Sequence, residues 1–396
     1  MATKADKSGK KPLAKKEQQK RKLMIIAAEV VCLLVLGIVV FAWSFLGKIN
    51  YSDFDENEAG INNDLSAESK EILENYTNIA FFGLDNRSEG TYDKGQSDVI
   101  MIASVNNKTK EVKLVSVYRD TLLHVGNDEY QKANSAYAKG GASRAVQMLN
   151  TNLDLNITEY VCVDFMALVE VIDALGGVEI EITEQEKDII NNTLWEYEVI
   201  SGEKLDMYDY LWGHGVQNLT GPQATFYARI RSTAGDDFKR TSRQRIVLEA
   251  MLNKAKKADV STLLEICEVA FDDISTSLTL TEIMDLAKAV KSYSIVSTSG
   301  FPFDMVAKNV SGRGSCVVPI SLENNVSKLY EYLFETEGYV TSESVQFTSD
   351  YITEITGVKA GDTGINTDSF NNTAGQDGTV FDEVEDKKED KKEDKE

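Results

Sequence analysis

Half of the arginines in this chain lie in one short stretch. The 396 residues carry a formal net charge of −22, and ten arginines are present among 42 basic residues. The five arginines within residues 228–245 are Arg229, Arg231, Arg240, Arg243 and Arg245. Arginine presents a planar, permanently charged fork that matches phosphate or carboxylate, and the rest of this chain relies mainly on lysine. The stretch therefore predicts an anion-binding site.

Helix geometry can bring these side chains together. Residues 240–252 predict a helix, and the side chains that share one of its faces, three and four positions apart, are Arg240, Arg243 and Gln244. Arg229 and Arg231 close the helix predicted just before it, so both groups can converge on one anion. The alternative is a salt-bridged helix pair that faces solvent, as most charged runs do.

Two aspartates lie at the ends of predicted strands. Asp85 follows the apolar run 78–84, and Asp98 opens the run 97–105. Both flank the same loop and can share a hard cation such as Mg²⁺, which prefers oxygen ligands and usually keeps water or substrate phosphate around it. An ordinary Asx-turn or N-cap is the alternative for each aspartate. Several arginines with Mg²⁺ suit a diphosphate better than a carboxylate substrate.

Other chemistries have little support in the sequence. The two histidines, His124 and His214, do not accompany a serine or cysteine nucleophile motif or a zinc-ligand spacing. No P-loop and no GxGxxG motif follows a predicted strand. Triad hydrolysis, zinc chemistry and nucleotide-dependent chemistry are therefore disfavoured.

Strands alternate with helices along the middle of the chain. The runs that predict strands are 78–84, 97–105, 111–118, 160–163, 178–182 and 316–320. The runs that predict helices are 140–153, 165–175, 220–230, 240–252, 263–271, 281–293 and 325–334. This order predicts an α/β fold, a layered α-β-α domain over residues 77–340 with a central mixed sheet and its core motifs in 78–255.

The two ends of the chain differ from its middle. Residues 1–23 form a basic tail, and residues 24–46 are apolar with one charge, Glu29, long enough to cross a bilayer. The preceding positive charge predicts a single-pass protein of the cell membrane with a cytoplasmic N-terminus and an extracellular domain. Residues 47–76 are expected to be a spacer, and 341–396 a disordered polar and acidic tail.

Six ordered blocks of this sequence resemble the LytR-CpsA-Psr family of bacterial cell-wall glycopolymer ligases. The blocks are 78–87, 97–101, 115–121, 132–141, 173–178 and 219–245. The resemblance implies a phosphotransferase that takes a glycopolymer, teichoic acid-like or capsular, from a polyprenyl-diphosphate carrier. It passes the polymer with one phosphate to a peptidoglycan hydroxyl and releases polyprenyl phosphate.

The resemblance also implies roles for particular residues. Together with the helix face described above, the expected diphosphate contacts are Arg87, Arg119, Lys132, Arg229, Arg231, Arg240, Arg243 and Gln244. The expected Mg²⁺ ligands are Asp85 and Asp98. The expected catalytic residues are Arg119, Asp237 and Arg240, with Asp237 either orienting an arginine or acting as the base.

Two departures from the family pattern stand out, since Tyr118 replaces a usual proline and Lys239 a frequent glycine. Neither removes a charged group. Residues 165–172 can line a slot for the lipid chain, although core packing is their more common role. Two alternatives stay open: a hydrolase of lipid-linked diphosphates, and a non-catalytic polymer-binding or regulatory membrane protein. Nucleic acid is not an expected partner, because the cytoplasmic part is only a short basic tail.

Overall fold

The computed structural model describes most of the chain between residues 50 and 367. The described residues are 50–51, 54, 58–84, 95–231, 236–259, 262–263, 266 and 274–367. The basic tail and the membrane span expected at 24–46 lie outside them. Within the described part, none of the helices combines the length and the apolar character that crossing a bilayer requires.

A seven-stranded mixed sheet forms the centre of the domain, in the order β1-β10-β7-β2-β3-β4-β11. The strands are β1 (Asn50–Tyr51), β2 (Tyr76–Leu84), β3 (Ser97–Asn106), β4 (Glu111–Val117), β5 (Leu122–His124), β6 (Tyr130–Lys132), β7 (Glu159–Val163), β8 (Val178–Ile182), β9 (Gly215–Leu219), β10 (Ile274–Thr276), β11 (Ser294–Phe301), β12 (Asp304–Val310), β13 (Gly314–Pro319) and β14 (Ile365–Asn366). β2 pairs in parallel with β7 and antiparallel with β3, which is antiparallel to β4. The expected mixed sheet is therefore confirmed.

The helices cover both faces of this sheet. They are α1 (Ala67–Glu74), α2 (Asn134–Leu153), α3 (Phe165–Ala174), α4 (Glu184–Thr193), α5 (Trp195–Ser201), α6 (Gly221–Tyr227), α7 (Asp236–Ala255), α8 (Leu280–Ala289), α9 (Leu322–Phe334) and α10 (Glu343–Thr356). Their starts follow from local side chains. Asp164 caps α3, and Thr220 forms a capping box with Gln223 at the start of α6, where Pro222 occupies the first turn.

Alternation along β3 separates two hydrophobic cores. Ile100 and Ile102 point into a core shared with α2, α9 and α10. Met101 and Ala103 point to the opposite face, where Leu248 of α7 packs against them. Because successive side chains of a strand face opposite sides, one apolar run serves both cores. The expected α-β-α layering is therefore confirmed.

The helix expected from residue 140 begins six residues earlier, at Asn134. Gly140 and Gly141 lie inside it at a kink, and Gly141 has a φ of 63°, a left-handed conformation that glycine adopts readily. The glycine pair therefore marks a bend within α2, although in the sequence it resembles a helix start.

The expectation of a disordered tail from residue 341 is wrong for residues 341–367. Helix α10 occupies 343–356, and its buried side chains are Val345, Thr348, Ser349, Ile352 and Thr356. This stripe has helical spacing but is mostly small and polar, so it lacks the apolar signal of a core helix. The buried carboxylate of Asp154 anchors the start of α10 by accepting hydrogen bonds from the backbone N–H and the hydroxyl of Ser342, at 2.8 and 2.6 Å.

Candidate active site

The ends of several strands meet at one edge of the central sheet. β2 ends at Leu84, which lies opposite Ser97 at the start of the antiparallel strand β3. β4 ends at Val117, and β7 ends at Val163, parallel to β2. Loops at strand ends are the usual place for ligand sites in α/β proteins. We refer to this side of the sheet, which carries Asp98, as the active-site edge.

Three arginines converge on the carboxylate of Asp98. Nη1 of Arg119 lies 2.8 Å from Oδ1, and Nη2 of Arg231 lies 2.9 Å from Oδ2. Nη1 of Arg240 lies 3.5 Å from Oδ2, and its Nη2 also donates to the Asp98 carbonyl at 3.4 Å. These three side chains come from a strand end, a turn and a helix. The convergence predicted from the sequence is therefore present for Arg231 and Arg240, and Arg119 joins them.

The charges of this cluster act on the protonation of Asp98. Three guanidinium groups contact its carboxylate. Burial alone would raise the pKa of Asp98, but the hydrogen bond and charge of Arg119, with the charges of Arg240 and Arg231, hold that pKa below its usual range. Asp98 therefore stays ionised and holds the three guanidinium groups together.

Exposure differs sharply among the three arginines. The side chain of Arg240 is 4% exposed, that of Arg119 is 21% exposed and that of Arg231 is 46% exposed. Arg231 follows α6, which ends at Tyr227, so it lies in the turn after the helix and not on its last residues as expected. A side chain in a turn can reach toward solvent, where a ligand would arrive.

Lys132 reaches the cluster through a second carboxylate, Asp120. Nζ of Lys132 lies 2.9 Å from one oxygen of Asp120, and Nε of Arg119 lies 3.7 Å from the other. Lys132 is therefore near the arginines, as expected, but in this arrangement its charge is matched by Asp120. Asp120 is not among the site residues expected from the sequence, although its position directly after Arg119 at a strand end was a usable signal.

Arg229 lies against aromatic rings. Its guanidinium carbon is 5.2 Å from the centre of the Phe165 ring and 5.8 Å from that of Phe226. Such stacking orients the guanidinium plane. Arg229 also lines the cleft described below, so it lies beside the Asp98 cluster with a different local partner.

Arg243 does not join the other arginines. Its Nε donates to Glu186 at 2.8 Å and its Nη1 to the carbonyl of Ile230 at 3.3 Å, and the residue is buried. At 100° per residue, Gln244 lies 40° to one side of Arg240 on the helix and Arg243 lies 60° to the other. Gln244 accordingly lines the cleft with Arg240, whereas Arg243 ties α7 to α4. Its assignment to the diphosphate contacts is corrected on this ground.

Three of the expected site residues lie partly or wholly outside the described structure. Asp85 and Arg87 belong to the loop 85–94, which is not described. Asp237 lies in the first turn of α7, three residues before Arg240, but its side chain is not among those described. Their expected roles stay predictions.

A cleft of about 540 Å³ extends from the arginine cluster into the domain. Its polar end carries Asp98, Arg231, Arg240 and Gln244. Its remaining walls are mainly apolar, and they include Phe81 and Met101 from the sheet, Phe165 and Leu168 from α3, Ile189 from α4, and Val247, Leu248 and Met251 from α7. The cleft is therefore amphiphilic, with a cationic mouth and an apolar interior.

Two carboxylates of the cleft were not anticipated from the sequence. Asp164 caps α3 directly after β7, and Glu196 lies in the first turn of α5. Both line the cleft. The strand-end position of Asp164 resembles that of Asp98 and was a usable signal, but nothing in the local sequence marks Glu196.

An α/β domain with guanidinium groups at its strand ends and an apolar cleft beside them has the chemistry to suit an amphiphile with an anionic head group. This chain belongs to the LytR_cpsA_psr family, whose sequence model matches residues 48–325. The family predicted from the six sequence blocks is therefore confirmed.

Named relatives give the family its enzymatic character. The chain is 32% identical over 212 residues to the polyisoprenyl-teichoic acid–peptidoglycan teichoic acid transferase TagU of Enterococcus faecalis, a match that spans 53% of this chain and 64% of that relative. It is 27% identical over 286 residues to the Bacillus licheniformis transferase of the same name, covering 70% of this chain and 85% of the relative. The prediction of a transferase agrees with these names.

Solved structures confirm the fold. The domain resembles a Streptococcus agalactiae protein with a TM-score of 0.58 at 22% identity, covering 73% of this chain and 97% of the other. It resembles Bacillus subtilis TagV with a TM-score of 0.52 at 25% identity, covering 65% and 97%. The layered arrangement is therefore shared with these proteins.

Proposed function

We propose that this protein is a phosphotransferase that moves a glycopolymer, teichoic acid-like or capsular, from a polyprenyl-diphosphate carrier to a peptidoglycan hydroxyl. Polyprenyl phosphate is the released product. One observation carries the proposal: Arg119, Arg231 and Arg240 surround Asp98 at the mouth of an apolar cleft. The named transferase relatives supply the reaction class.

The arginine cluster suits a diphosphate head group. Each guanidinium carries five N–H donors in a rigid fork, a geometry that matches the oxygens of a phosphate group. Asp98 keeps the three cations gathered before the substrate binds, which lowers the reorganisation that binding requires. Phosphoryl transfer depends mainly on positioning and on stabilising charge on the phosphoryl oxygens, and fixed guanidinium groups supply both.

The apolar part of the cleft suits the isoprenoid chain. Phe81, Met101, Leu168 and Met251 present hydrocarbon and thioether surface with few competing polar groups. Burial of isoprenoid methyl and methylene groups is favourable by about 25 cal/mol per Å² of apolar area. The tail of the carrier would therefore occupy the interior of the cleft while its diphosphate stays at the mouth.

The transfer balances without any further reactant. The acceptor hydroxyl oxygen forms a bond to the phosphorus next to the polymer, and the bond from that phosphorus to the bridging oxygen breaks. The pyrophosphate electron pair leaves with polyprenyl phosphate, and the hydroxyl proton passes to a base. Asp237 is the candidate base, because its position in the first turn of α7 is three residues from Arg240.

Magnesium is a proposed cofactor. Among the described residues, no group of three or more acidic, histidine or cysteine side chains is placed to hold a metal ion. Asp98 is ionised and its oxygens retain lone pairs, which fits an ion that takes few protein ligands and completes its sphere with phosphate and water. Asp98 would hold the ion together with Asp85, and the ion would supply neutralisation of phosphate charge.

The proposed location is the cell membrane, with the N-terminus in the cytoplasm and the domain outside. Support comes from the apolar segment 24–46 and the lysines before it. Protease added to intact cells should remove the domain and leave a short N-terminal fragment. Protection of the whole chain in intact cells would contradict this orientation.

The proposed reaction can be tested with the purified full chain, a labelled lipid-linked glycopolymer and isolated peptidoglycan. The expected result is label bound covalently to the peptidoglycan and released only by hydrolysis of the phosphodiester. Free polymer phosphate in place of a bound product would show a hydrolase. No turnover of the donor under any condition would favour a non-catalytic binding role.

A further inference from the structure

Exposed hydrophobic side chains are concentrated in one part of the described structure. Within residues 195–216, those that are mostly exposed are Trp195, Val199, Met207, Tyr208, Trp212 and Val216. Trp212 is 75% exposed and Tyr208 is 82% exposed. Exposed side chains of this size that lie together usually mark an interaction surface. We call these six residues the aromatic patch.

Hydrogen bonds at two points hold the loop that carries Met207 and Tyr208 against α4 and α5. The side chain of Asn191 exchanges hydrogen bonds with the backbone of Leu211, at 2.8 and 2.9 Å. Glu198, seven residues further along the helices, accepts from the backbone N–H of Leu205 at 2.9 Å. The loop 205–211 is therefore held along this face of the helices, with Trp195 between the two attachment points.

The patch adjoins the cleft. Glu196 lines the cleft and directly follows Trp195, and Thr193 and Ile189 line it from the same pair of helices. One side of α4 and α5 therefore faces the apolar interior while another side exposes aromatic rings. The patch therefore lies beside one wall of the cleft.

We propose that the aromatic patch rests in the interface of a phospholipid bilayer and delivers the lipid-linked donor to the cleft. This proposal builds on the proposed function. Tryptophan and tyrosine favour the bilayer interface because their rings are apolar and their polar atoms can stay wet. Valine and methionine add aliphatic surface, which a sugar-stacking platform would not need.

The indole N–H of Trp212 favours a bilayer over a glycan, whereas the charges near the patch do not attract a lipid surface. The indole N–H of Trp212 donates to the carbonyl of Met207 at 3.1 Å, so it is already engaged within the loop. The neighbouring charges are mainly acidic, with Glu203, Asp206 and Asp209 near Lys204. Contact should therefore depend on apolar insertion and not on attraction to anionic lipids.

The sequence that precedes the described fold supports a bilayer as the binding partner of the patch. Asn50 pairs with Ser275 of β10, whose neighbour Ile274 lies opposite Val163, so the chain enters the sheet near its active-site edge. The apolar segment ends at residue 46, which leaves residues 47–49 as the connection to Asn50. In the sequence, only these three residues separate the apolar segment from the start of the described fold.

Tryptophan fluorescence tests the proposal directly in the full chain. The protein has three tryptophans, Trp43, Trp195 and Trp212, so a Trp43→Phe variant keeps its reporters in the patch alone. After reconstitution in phosphatidylcholine vesicles, lipids brominated near the head group should quench most of the emission. Unchanged emission with brominated lipids, or quenching by added glycan strands instead, would overturn the proposal.

A kinetic measurement separates this inference from the proposed function. The triple substitution of Trp195, Tyr208 and Trp212 by serine should raise KM for a long-chain donor embedded in vesicles. It should leave turnover of a short-chain, water-soluble donor unchanged. Phe347→Ser, which alters another exposed aromatic outside the patch, is the matched control and should change neither. Equal KM values for the embedded donor in the parent protein and the triple variant would reject the proposed role of the patch. Absence of transfer with both donors in the parent protein would instead reject the proposed function.

Discussion

The phenolic oxygen of Tyr118 lies 2.6 Å from the hydroxyl oxygen of Thr367 in a buried contact. Thr367 uses its own proton toward the carbonyl of Pro302 at 3.1 Å, so Tyr118 is the donor. The Tyr118 ring meets Phe238 of α7 edge-on, with centroids 4.7 Å apart. The residue before Arg119 thus links the C-terminal segment to the first turn of the helix that carries Arg240.

Loss of this hydrogen bond should destabilise the domain modestly. Tyr118→Phe is expected to lower the free energy of unfolding by about 1 kcal/mol, the usual net value of one hydrogen bond. Thr367→Val should cost more, because the Pro302 carbonyl then also loses its donor. Urea unfolding should show that the double variant loses less free energy of unfolding than the two single variants lose when their losses are added. Strict additivity would mean that the two side chains do not interact.

Replacing Arg240 by lysine should impair turnover without unfolding the protein. Lysine keeps the charge but loses the planar fork that reaches Asp98, so one of the fixed donors to the phosphoryl oxygens is lost. A decrease in kcat of about 10²–10³-fold is expected, as for other lost transition-state donors. Arg313→Lys, in the turn between β12 and β13, is the matched control and should retain full activity. An unaffected kcat in the Arg240 variant would remove this residue from the proposed catalytic set.

Asp98→Asn should abolish the response to magnesium. In the parent protein, chelation with EDTA is expected to stop transfer, and added Mg²⁺ should restore it. The amide is nearly isosteric but lacks the charge that gathers three guanidinium groups and attracts the ion. Transfer assays across a Mg²⁺ series should show no recovery in the variant. A variant that recovers with the same Mg²⁺ dependence as the parent would show that Asp98 only positions the arginines.

A polar group inside the cleft should weaken binding of long lipid chains. Met251→Gln keeps the length of the side chain but places an amide where hydrocarbon is expected to bind. Burying an unpaired amide costs about 1–3 kcal/mol, which corresponds to at least about a fivefold rise in KM for a long-chain donor. Met166→Gln, on α3 but not among the residues that line the cleft, provides the control. The same KM for long-chain and short-chain donors in the Met251 variant would argue against a lipid tail in this cleft.

The segment that includes α10 should be required for stability. Deleting residues 341–396 removes the buried stripe of α10 and the contacts of Ser342 with Asp154, whereas deleting 368–396 keeps both. The first deletion should unfold or strongly destabilise the domain, and the second should leave its urea midpoint unchanged.

Single substitutions give a finer measure of the same contact. Ser342→Ala should cost about 1–2 kcal/mol through loss of the helix cap. Ser344→Ala, which removes an exposed contact with Asp64, should cost less. Equal urea midpoints for the two alanine variants would show that the buried contact of Ser342 stabilises the domain no more than the exposed contact of Ser344.

Sequence patterns predicted the architecture well where a hydrophobic run has one structural interpretation. The apolar runs of β2, β3 and β4 lie within one or two residues of their expected bounds, because buried strands need continuous hydrophobic sequence. Helix α10 escaped prediction because its buried face consists largely of threonine and serine. Its burial depends on partners such as Asp154 that are distant in the chain.

The candidate site was predicted in part. The density of arginine between 228 and 245 correctly indicated a cationic cluster around Arg231 and Arg240. Spacing alone could not show that Arg243 turns to Glu186, since the three-residue step is compatible with either side of the helix. Asp98 was selected as a metal ligand, but its contacts with Arg231 and Arg240 join chain segments more than 130 residues apart.

The different exposure of Arg240 and Arg231 determines how anion binding at the site responds to the salt concentration. Mobile ions in solution weaken the attraction between charges that water can reach. The side chain of Arg231 is 46% exposed, so salt should screen much of its attraction for an anion. The side chain of Arg240 is 4% exposed and should be screened far less. High salt would then slow the first encounter between the site and the proposed carrier. The contacts of the bound head group with Arg240 would be largely unaffected.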